Sequence, residues 1–387
     1  MVNRSQQGEK EAVAIAEIRT ALGTELTAAD YDSDFNLLRW ALDYHCKVPE
    51  AVAGLREHLR LRRALELWRV PAVPEQSLPA LRHYPGIHIG SPPFESGVEG
   101  RREVYLYFHF GMLDINGLRN TVPATEIFSV AMYDSELVWQ HLRKREEETG
   151  ERWYGGLIVD LADFVVDMGM VTADVSSVFD FVTAHYPQLY SHVIAVNTSL
   201  LGRLAMHILK PFMPKGIRID LYADLAEVFA SGRLAPSALP LSLGGSNPNE
   251  FIRIPSIKPI PKDMWFKFDD YPHKENMPPL LPVVIPPRKV VWEKLWAPAG
   301  SLVRYFVQFS PRHNHGTQLY FSLDEHEREP KRMEMLVLPL PEGQHKLYPD
   351  FGEVRAPRDG FVMLRLANQN SLLFKSHGEY ALWLALS

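Results

Sequence analysis

The run Gly156-Leu157-Ile158-Val159-Asp160-Leu161 decides the fold class of this 387-residue chain. It is a nearly continuous apolar strand, and such strands are usually covered on both faces, as in a parallel or mixed sheet. Helix and strand patterns alternate on both sides of it. This alternation indicates crossover connections within one α/β domain.

The flanking segments supply the other elements of this domain. Strands are expected over 104–110, 192–197 and 217–221, where β-branched and aromatic residues are frequent. Helical periodicity is found between them. The predicted helices cover 123–145, 173–185, 200–212 and a short stretch near 223–230.

The chain up to about Val70 is predicted to be helical throughout, and Pro71 and Pro74 end its last helix. Within that helix, over 50–68, a group of arginines forms a basic surface. This surface is either an ordinary solvated face or one that meets lipid headgroups. The arginines are Arg56, Arg60, Arg62 and Arg63.

The composition changes after Ser246. Ten prolines fall between 246 and 288, which predicts an extended connector with little helix. From about Val290 onward, short alternating strands separated by turn signals indicate an all-β sandwich. In one strand, over 302–309, the side chains expected on one face are Val303, Tyr305, Val307 and Phe309.

Composition narrows the possible functions. Hydrophobic residues make up 46% and charged residues 23%, as in globular proteins with buried cores. The net charge of −6 argues against a nucleic-acid partner, which requires a basic face. The single cysteine, Cys46, cannot form an internal disulfide and suits a reducing compartment. No apolar run reaches the ~18 residues of a spanning helix, so we expect a cytoplasmic protein that meets membrane surfaces transiently.

Motifs of enzyme chemistry are missing. The sequence has no nucleophile elbow, phosphate-binding loop or dinucleotide fingerprint. The segment His313-Asn314-His315 could bind a metal only with ligands from elsewhere. Asp160, Asp163 and Asp167 follow a strand end, where α/β enzymes often place carboxylates, but no matched base or nucleophile accompanies them. We therefore expect no enzyme activity, no metal and no cofactor.

Four stretches, in order, resemble the CRAL-TRIO lipid-transfer family. They are Asp34-Phe35-Asn36-Leu37-Leu38-Arg39-Trp40-Ala41-Leu42, the strand 156–161, the segment from Tyr186-Pro187-Gln188 through Val193-Ile194-Ala195-Val196-Asn197 to Ile208-Leu209-Lys210-Pro211-Phe212-Met213, and Leu239-Pro240-Leu241-Ser242-Leu243-Gly244-Gly245. The C-terminal strands, especially 361–368 and 380–386, resemble a GOLD domain. The combination is similar to the supernatant protein factor and tocopherol-associated protein group.

The resemblance implies a multidomain chain. Its parts are an N-terminal helical CRAL-TRIO lead-in, an α/β CRAL-TRIO lipid-binding domain, a proline-rich connector and an all-β GOLD sandwich. Their predicted boundaries are 1–73, 74–247, 248–288 and 289–387.

The resemblance also implies a function. A sheet would form the floor of a closed cavity for a hydrophobic ligand, and an amphipathic helix would gate it. The helix predicted over 200–212 has a suitable apolar stripe, although such a stripe also suits ordinary core packing. The expected function is cytosolic binding and intermembrane transfer of a lipid-like molecule. The alternative is a lipid-sensing adaptor in membrane trafficking whose GOLD domain exposes an apolar patch to a protein partner.

Candidate cavity residues follow from alternation along the strands. Tyr105, Tyr107 and His109 share one face, which we favour as lining because a tyrosine combines an apolar body with a polar tip. A register error of one residue would exchange the two faces of a strand. The predicted ligand-binding residues are Tyr105, Tyr107, His109, Leu157, Val159, Phe179, Val182, Ile194, Val196, Leu204, Ile208 and Lys210.

Two departures from the family bear on the ligand. Gln188 and Leu189 stand where phosphatidylinositol-binding members have a glutamate and then a basic residue, although Lys210 matches their headgroup-contacting lysine. Gly155 and Leu157 replace the paired hydroxyls that hold phosphocholine. Both departures favour a more apolar ligand, such as a tocopherol, a retinoid, a sterol precursor or a fatty acid.

Overall fold

The computed structural model describes residues 4–26, 32–67, 93–164, 178–199, 203–204, 217–248, 258–310, 315–337, 340–343 and 349–385. The N-terminal part forms three helices with a common apolar core. The Ser33 hydroxyl caps the second helix by accepting a hydrogen bond from the Asn36 backbone N at 3.2 Å, and Pro49 lies in the first turn of the third. The helices are α1 (Arg4–Leu22), α2 (Asp34–Asp43) and α3 (Val48–Ala64).

A five-stranded sheet follows and confirms the predicted α/β domain. Its order is β1 (Phe94–Glu95), β2 (Glu103–Phe108), β3 (Tyr154–Asp160), β4 (Tyr190–Val196) and β5 (Arg218–Leu221). The strands from β2 to β5 are parallel, and β1 is an antiparallel edge strand. The accompanying helices are α4 (Ile115–Thr121), α5 (Ala124–Thr149), a helical segment over 178–185 and α6 (Leu225–Ala230).

Two buried ion pairs join the N-terminal helices to α5. Arg39 on α2 binds both carboxylate oxygens of Glu146 and donates to the Trp153 carbonyl at 2.9 Å. Arg62 on α3 pairs with Glu136. The exposed fraction of these four charged side chains is 4% or less. Arg62 therefore belongs to the interior, and the prediction of a basic outer surface is wrong for this residue.

The C-terminal part is a sandwich of two antiparallel sheets. Val303, Tyr305, Val307 and Phe309 lie together in its core, as predicted. The strands are β6 (Leu281–Ile285), β7 (Lys289–Ala297), β8 (Leu302–Phe309), β9 (His315–Ser322), β10 (Glu334–Met335), β11 (Leu340–Gly343), β12 (Asp350–Arg355), β13 (Gly360–Asn368) and β14 (Ser376–Leu384). The strand order is β10-β9-β13-β7 in one sheet, where β11 also pairs with β9, and β12-β8-β14-β6 in the other.

The predicted boundary between connector and sandwich needs a correction. Strand β6 falls inside the segment predicted as connector, yet it pairs with β14 along five residues. Proline is tolerated in an edge strand, because its missing N–H costs no ladder hydrogen bond there, so Pro282 does not prevent pairing. The sandwich therefore begins at Leu281.

Both outer faces of the sandwich are covered by other parts of the chain. Phe266 and Tyr271 of the connector pack against Phe306 and Trp383 on one sheet. The outer face of the other sheet packs against α3 and α5. This second contact places Tyr320, Met335, Met363, Leu61 and Met132 in one apolar cluster.

The buried ion pair between Arg39 and Glu146 is predicted to stabilise the contact between α2 and α5. Glu146→Gln leaves a buried guanidinium without its counter-charge, which is expected to lower the free energy of unfolding by about 3–5 kcal/mol. Urea denaturation measures the loss. Arg56→Gln is the matched control, because Arg56 and Glu25 are 45% and 40% exposed and such a pair contributes at most about 1 kcal/mol. Equal losses in the two variants would contradict the assignment.

Two neighbouring histidines are buried between α3 and the 178–185 segment. His58 makes an edge-to-face contact with Tyr186 at 4.9 Å, and burial lowers its pKa well below the usual range. Burial lowers the pKa of His185 to about 4. Because both pKa values are depressed, the folded protein binds fewer protons than the unfolded chain below about pH 6.5. The stability they provide is therefore complete above about pH 6.5 and is lost as the pH falls towards about 4.

We expect the free energy of unfolding to decrease between about pH 7 and about pH 5, and His185→Phe to reduce that decrease by about 2 kcal/mol. Chemical denaturation at a series of pH values measures the slope. His326→Phe is the control, because the His326 side chain is 77% exposed. Identical pH slopes for His185→Phe and the unsubstituted protein would show that His185 charges as easily when folded as when unfolded.

Candidate functional site

The register of the parallel strands separates the central sheet into two distinct faces. In a parallel ladder, residues paired in register project to the same side. Tyr107 is paired with Ile158, and Phe108 is paired with Val159. The tyrosine face carries Tyr105, Tyr107, Ile158, Ile194 and Val196, and the leucine face carries Leu106, Phe108, Leu157, Val159, Val193, Ala195, Ile219 and Leu221.

The tyrosine face is filled by protein. Its side chains are at most 5% exposed and pack against Val228 of α6 and against Leu234 and Leu239. The Tyr107 hydroxyl donates to Asp160, whose other oxygen accepts hydrogen bonds from Asn197 Nδ2 at 2.7 Å and from a backbone N–H. The polar tip of this tyrosine therefore has a protein partner.

A buried polar network closes the tyrosine face near the start of its strands. The Tyr105 hydroxyl donates to Glu103 at 2.7 Å, and Arg233 donates to the other Glu103 oxygen at 3.0 Å. Arg233 also contacts His192, whose Nε2 lies 3.2 Å from Asp220. Burial, followed by the charge of Arg233, lowers the pKa of His192, and burial raises the pKa of Tyr105. Hydrogen bonds thus join Tyr105, Glu103, Arg233 and His192 at this end of the face.

The leucine face differs in both chemistry and exposure. Every side chain on it is apolar, and none offers a hydrogen bond. Six of the eight, contributed by β2, β3 and β5, are only half-buried. These six are Leu106, Phe108, Leu157, Val159, Ile219 and Leu221.

Aromatic side chains stand at both ends of the leucine face. Towards α5, Phe128 contacts Phe181 of the 178–185 segment, with ring centroids 5.2 Å apart. Towards the carboxyl ends of the strands, Phe110 contacts Phe164 at 5.3 Å. A half-buried apolar floor between aromatic groups is the lining that hydrophobic ligands require.

The contact between α5 and the sheet contains polar groups that burial keeps neutral. Burial raises the pKa of Asp134 well above its usual range and so favours the uncharged acid. Burial also raises the pKa of Tyr190, whose hydroxyl lies 3.4 Å from the Ser135 hydroxyl. A low-dielectric environment disfavours the charged forms of both groups. Such an environment is compatible with an apolar ligand nearby.

The predicted cavity residues divide between the two faces. The prediction that Tyr105 and Tyr107 line one surface with Leu157 and Val159 is wrong, because the strand register sends these pairs to opposite sides. Ile194 and Val196 lie on the tyrosine face, and neither is exposed at all. Val182 belongs to the apolar cluster against which Leu157 packs.

The remaining predicted residues lie further out. His109 follows β2 and is half-buried, as is Phe179 on the 178–185 segment. Leu204 is 57% exposed. Ile208 and Lys210, like most of the predicted gating helix, lie outside the described residues.

Four half-buried residues of the leucine face were not among the predicted set, namely Leu106, Phe108, Ile219 and Leu221. The alternation of side chains along β2 could have identified Leu106 and Phe108. In the parallel pairing they stand beside Leu157 and Val159, and the strand alternation already groups them.

Within the described ranges, no group of three histidine, cysteine, aspartate or glutamate residues could hold a metal ion. His315 of the predicted metal clip is buried and stacks on Phe309 at 4.1 Å, whereas His313 lies outside the described residues. Asp160, a candidate carboxylate, uses both oxygens to hold Tyr107 and neighbouring groups. These side chains have structural partners.

The sequence of this chain is similar to those of known proteins. A CRAL-TRIO domain-containing protein of Caenorhabditis elegans is 25% identical to this chain over 379 residues, which cover 94% of this chain and 88% of the relative. Among solved structures, that of Sfh5 aligns with 62% of this chain and 89% of its own at 14% identity, with a TM-score of 0.42. The model of the CRAL/TRIO domain matches residues 96–225, which include every strand of the central sheet except the edge strand β1. Residues 96–225 thus form a CRAL-TRIO domain.

Proposed function

We propose that the chain binds one hydrophobic, lipid-like molecule above the leucine face and carries it through the cytosol between membranes. The observation that supports this proposal is the contrast between the two faces of one sheet. Protein side chains fill the tyrosine face, whereas six apolar residues of the leucine face remain half-buried. A CRAL-TRIO domain is a lipid-binding and transfer module, so the likeness over residues 96–225 supports the same function.

The chemistry of the leucine face favours a weakly polar ligand. A charged headgroup placed there would lose its hydration without gaining a hydrogen bond, which is costly in an apolar surrounding. Gly155 and Leu157 offer no hydroxyl to a phosphocholine group. A tocopherol, retinoid, sterol precursor or fatty acid chain has few polar groups, so its burial against such a surface costs little hydration free energy.

We further propose that a helix gates the ligand site and that the protein meets membranes only at their surface. We expect binding and transfer of the ligand, without catalysis. The apolar stripe of the helix predicted over 200–212 would cover the ligand when closed and meet a bilayer surface when open. The described helices contain none that is both long and apolar enough to cross a membrane. The C-terminal sandwich would act as a GOLD domain beside the ligand-binding domain.

A second candidate function is that of a lipid-sensing adaptor that recruits a trafficking protein through the sandwich. One observation favours it. Leu372, Leu373 and Phe374 stand exposed on a loop of the sandwich, where a partner could reach them. Both functions require a bound lipid, but only transfer requires its exchange between membranes.

Native mass spectrometry of the purified protein, followed by solvent extraction, tests the carrier function directly. We expect one apolar molecule per chain. An empty protein that also fails to bind fluorescent lipid analogues would refute ligand binding. One phosphatidylinositol per chain would refute the proposed ligand class.

Substitutions on the two faces locate the ligand. Val159→Trp places an indole over the leucine face and is expected to lower ligand content at least about tenfold. Tyr107→Phe is the control on the other face of the adjacent strand, because it removes only the hydroxyl that binds Asp160. Its ligand content should not change. Loss of ligand in Tyr107→Phe, with normal binding in Val159→Trp, would place the ligand on the tyrosine face.

A further inference from the structure

The loop between β13 and β14 exposes three consecutive large apolar side chains. The exposed fractions are 65% for Leu372, 80% for Leu373 and 75% for Phe374. Elsewhere in the described ranges, exposed large apolar residues stand singly along the sequence. Single exposed residues are normal, but a contiguous group marks a contact surface.

Hydrogen bonds hold this loop, which we call the apolar loop (369–375), in a defined shape. The Asn368 side chain is fully buried, and its amide donates to the carbonyls of Phe374 at 2.9 Å and Ile285 at 3.1 Å. The Ser371 hydroxyl donates to the Phe374 carbonyl at 2.9 Å and accepts from the Phe374 N–H at 3.2 Å. Because the Phe374 N–H and carbonyl already have partners within the protein, insertion of this end of the loop into an apolar medium would dehydrate less polar backbone.

Basic side chains flank the apolar loop. Lys375 ends it, Arg288 lies in the adjacent β6–β7 turn, and Lys289 begins β7. The Arg288 N–H donates to the Asn368 carbonyl at 2.9 Å. All three side chains are exposed, and the ion pairs of the described residues include none of them. The segments 286–289 and 369–375 contain no aspartate or glutamate.

We propose that the apolar loop is a membrane-insertion site of the sandwich, which binds the surface of a bilayer that contains anionic lipids. Leu372, Leu373 and Phe374 would enter the boundary between headgroups and acyl chains, while Arg288, Lys289 and Lys375 bind lipid phosphates and carboxylates. The combination of an apolar tip and a basic rim is complementary to this surface.

A protein partner fits the apolar loop less well. Stable protein interfaces bury about 800 Å² on each side and require complementary surfaces, whereas three side chains on a projecting loop supply a small, convex contact. The inference goes beyond the proposed function, because this contact lies outside the ligand-binding domain and requires no ligand. The failure of ligand binding would leave it intact.

Vesicle sedimentation of the full chain is the first test, with phosphatidylcholine vesicles that contain or lack phosphatidylserine. The triple variant L372S/L373S/F374S is expected to bind phosphatidylserine vesicles at least about tenfold more weakly. The exposure of the three side chains predicts an unchanged thermal unfolding midpoint. Leu323→Ser is the matched control, since Leu323 is also 65% exposed but follows β9 outside the loop, and its binding should not change.

The basic rim is tested by the variant R288E/K289E/K375E. It is expected to lose the preference for phosphatidylserine, at about fivefold per substituted cation. Failure of the unsubstituted protein to bind either vesicle would overturn the proposal. Unchanged vesicle binding by the triple apolar variant would also overturn it and would assign the loop to a protein partner.

The single native cysteine allows a direct measurement of insertion. In a Cys46→Ser background, Leu373→Cys labelled with an environment-sensitive nitrobenzoxadiazole dye should shift its emission to the blue on phosphatidylserine vesicles. The same dye at Leu323→Cys should not shift. No shift at position 373 would overturn insertion. Light scattering that finds a dimer which the triple apolar variant abolishes would overturn it in favour of self-association.

Discussion

Two buried carboxylates on helix α5, Glu136 and Glu146, determine how the helical layers assemble. Removing a carboxylate from water costs several kcal/mol unless a counter-charge and hydrogen bonds replace the lost hydration. Arg62 and Arg39 supply those counter-charges from two different helices. The two contacts lie ten residues apart on α5, so they fix both the position and the direction of the N-terminal helices. The apolar side of α5 then remains for the sheet and the sandwich.

The need to pair buried polar groups also distinguishes the two faces of the central sheet. Tyr105 and Tyr107 carry hydroxyls that cost free energy when buried without a partner, and Glu103 and Asp160 provide the partners. A face held together in this way has little room for another molecule. The leucine face has no polar group to satisfy, so a ligand can cover it without matching any hydrogen bond.

The sandwich lies between two packed layers, which restricts where it can meet another surface. The connector covers one of its sheets, and helices α3 and α5 cover the other. Its free surfaces are therefore the edge strands and the loops at its ends. The apolar loop lies at one such end and is braced by Asn368, whose buried amide joins the β6–β7 turn to it. The leucine face of the central sheet and the apolar loop are thus separate surfaces of the molecule.

The sequence by itself determined the types and order of the elements, because helix and strand periods are local. Strand β8 begins and ends at the predicted residues, since alternation over eight positions is unambiguous. Strand β6 escaped prediction because the surrounding prolines resemble those of a connector, and only its pairing with β14 reveals a strand. Arg62 likewise resembled a surface residue until Glu136, 74 positions away, gave it a buried partner. Alternation grouped the cavity candidates into two sets per strand. Only the tertiary structure decided which set stays half-buried, because burial depends on distant layers such as α6 and α5 rather than on the strand itself.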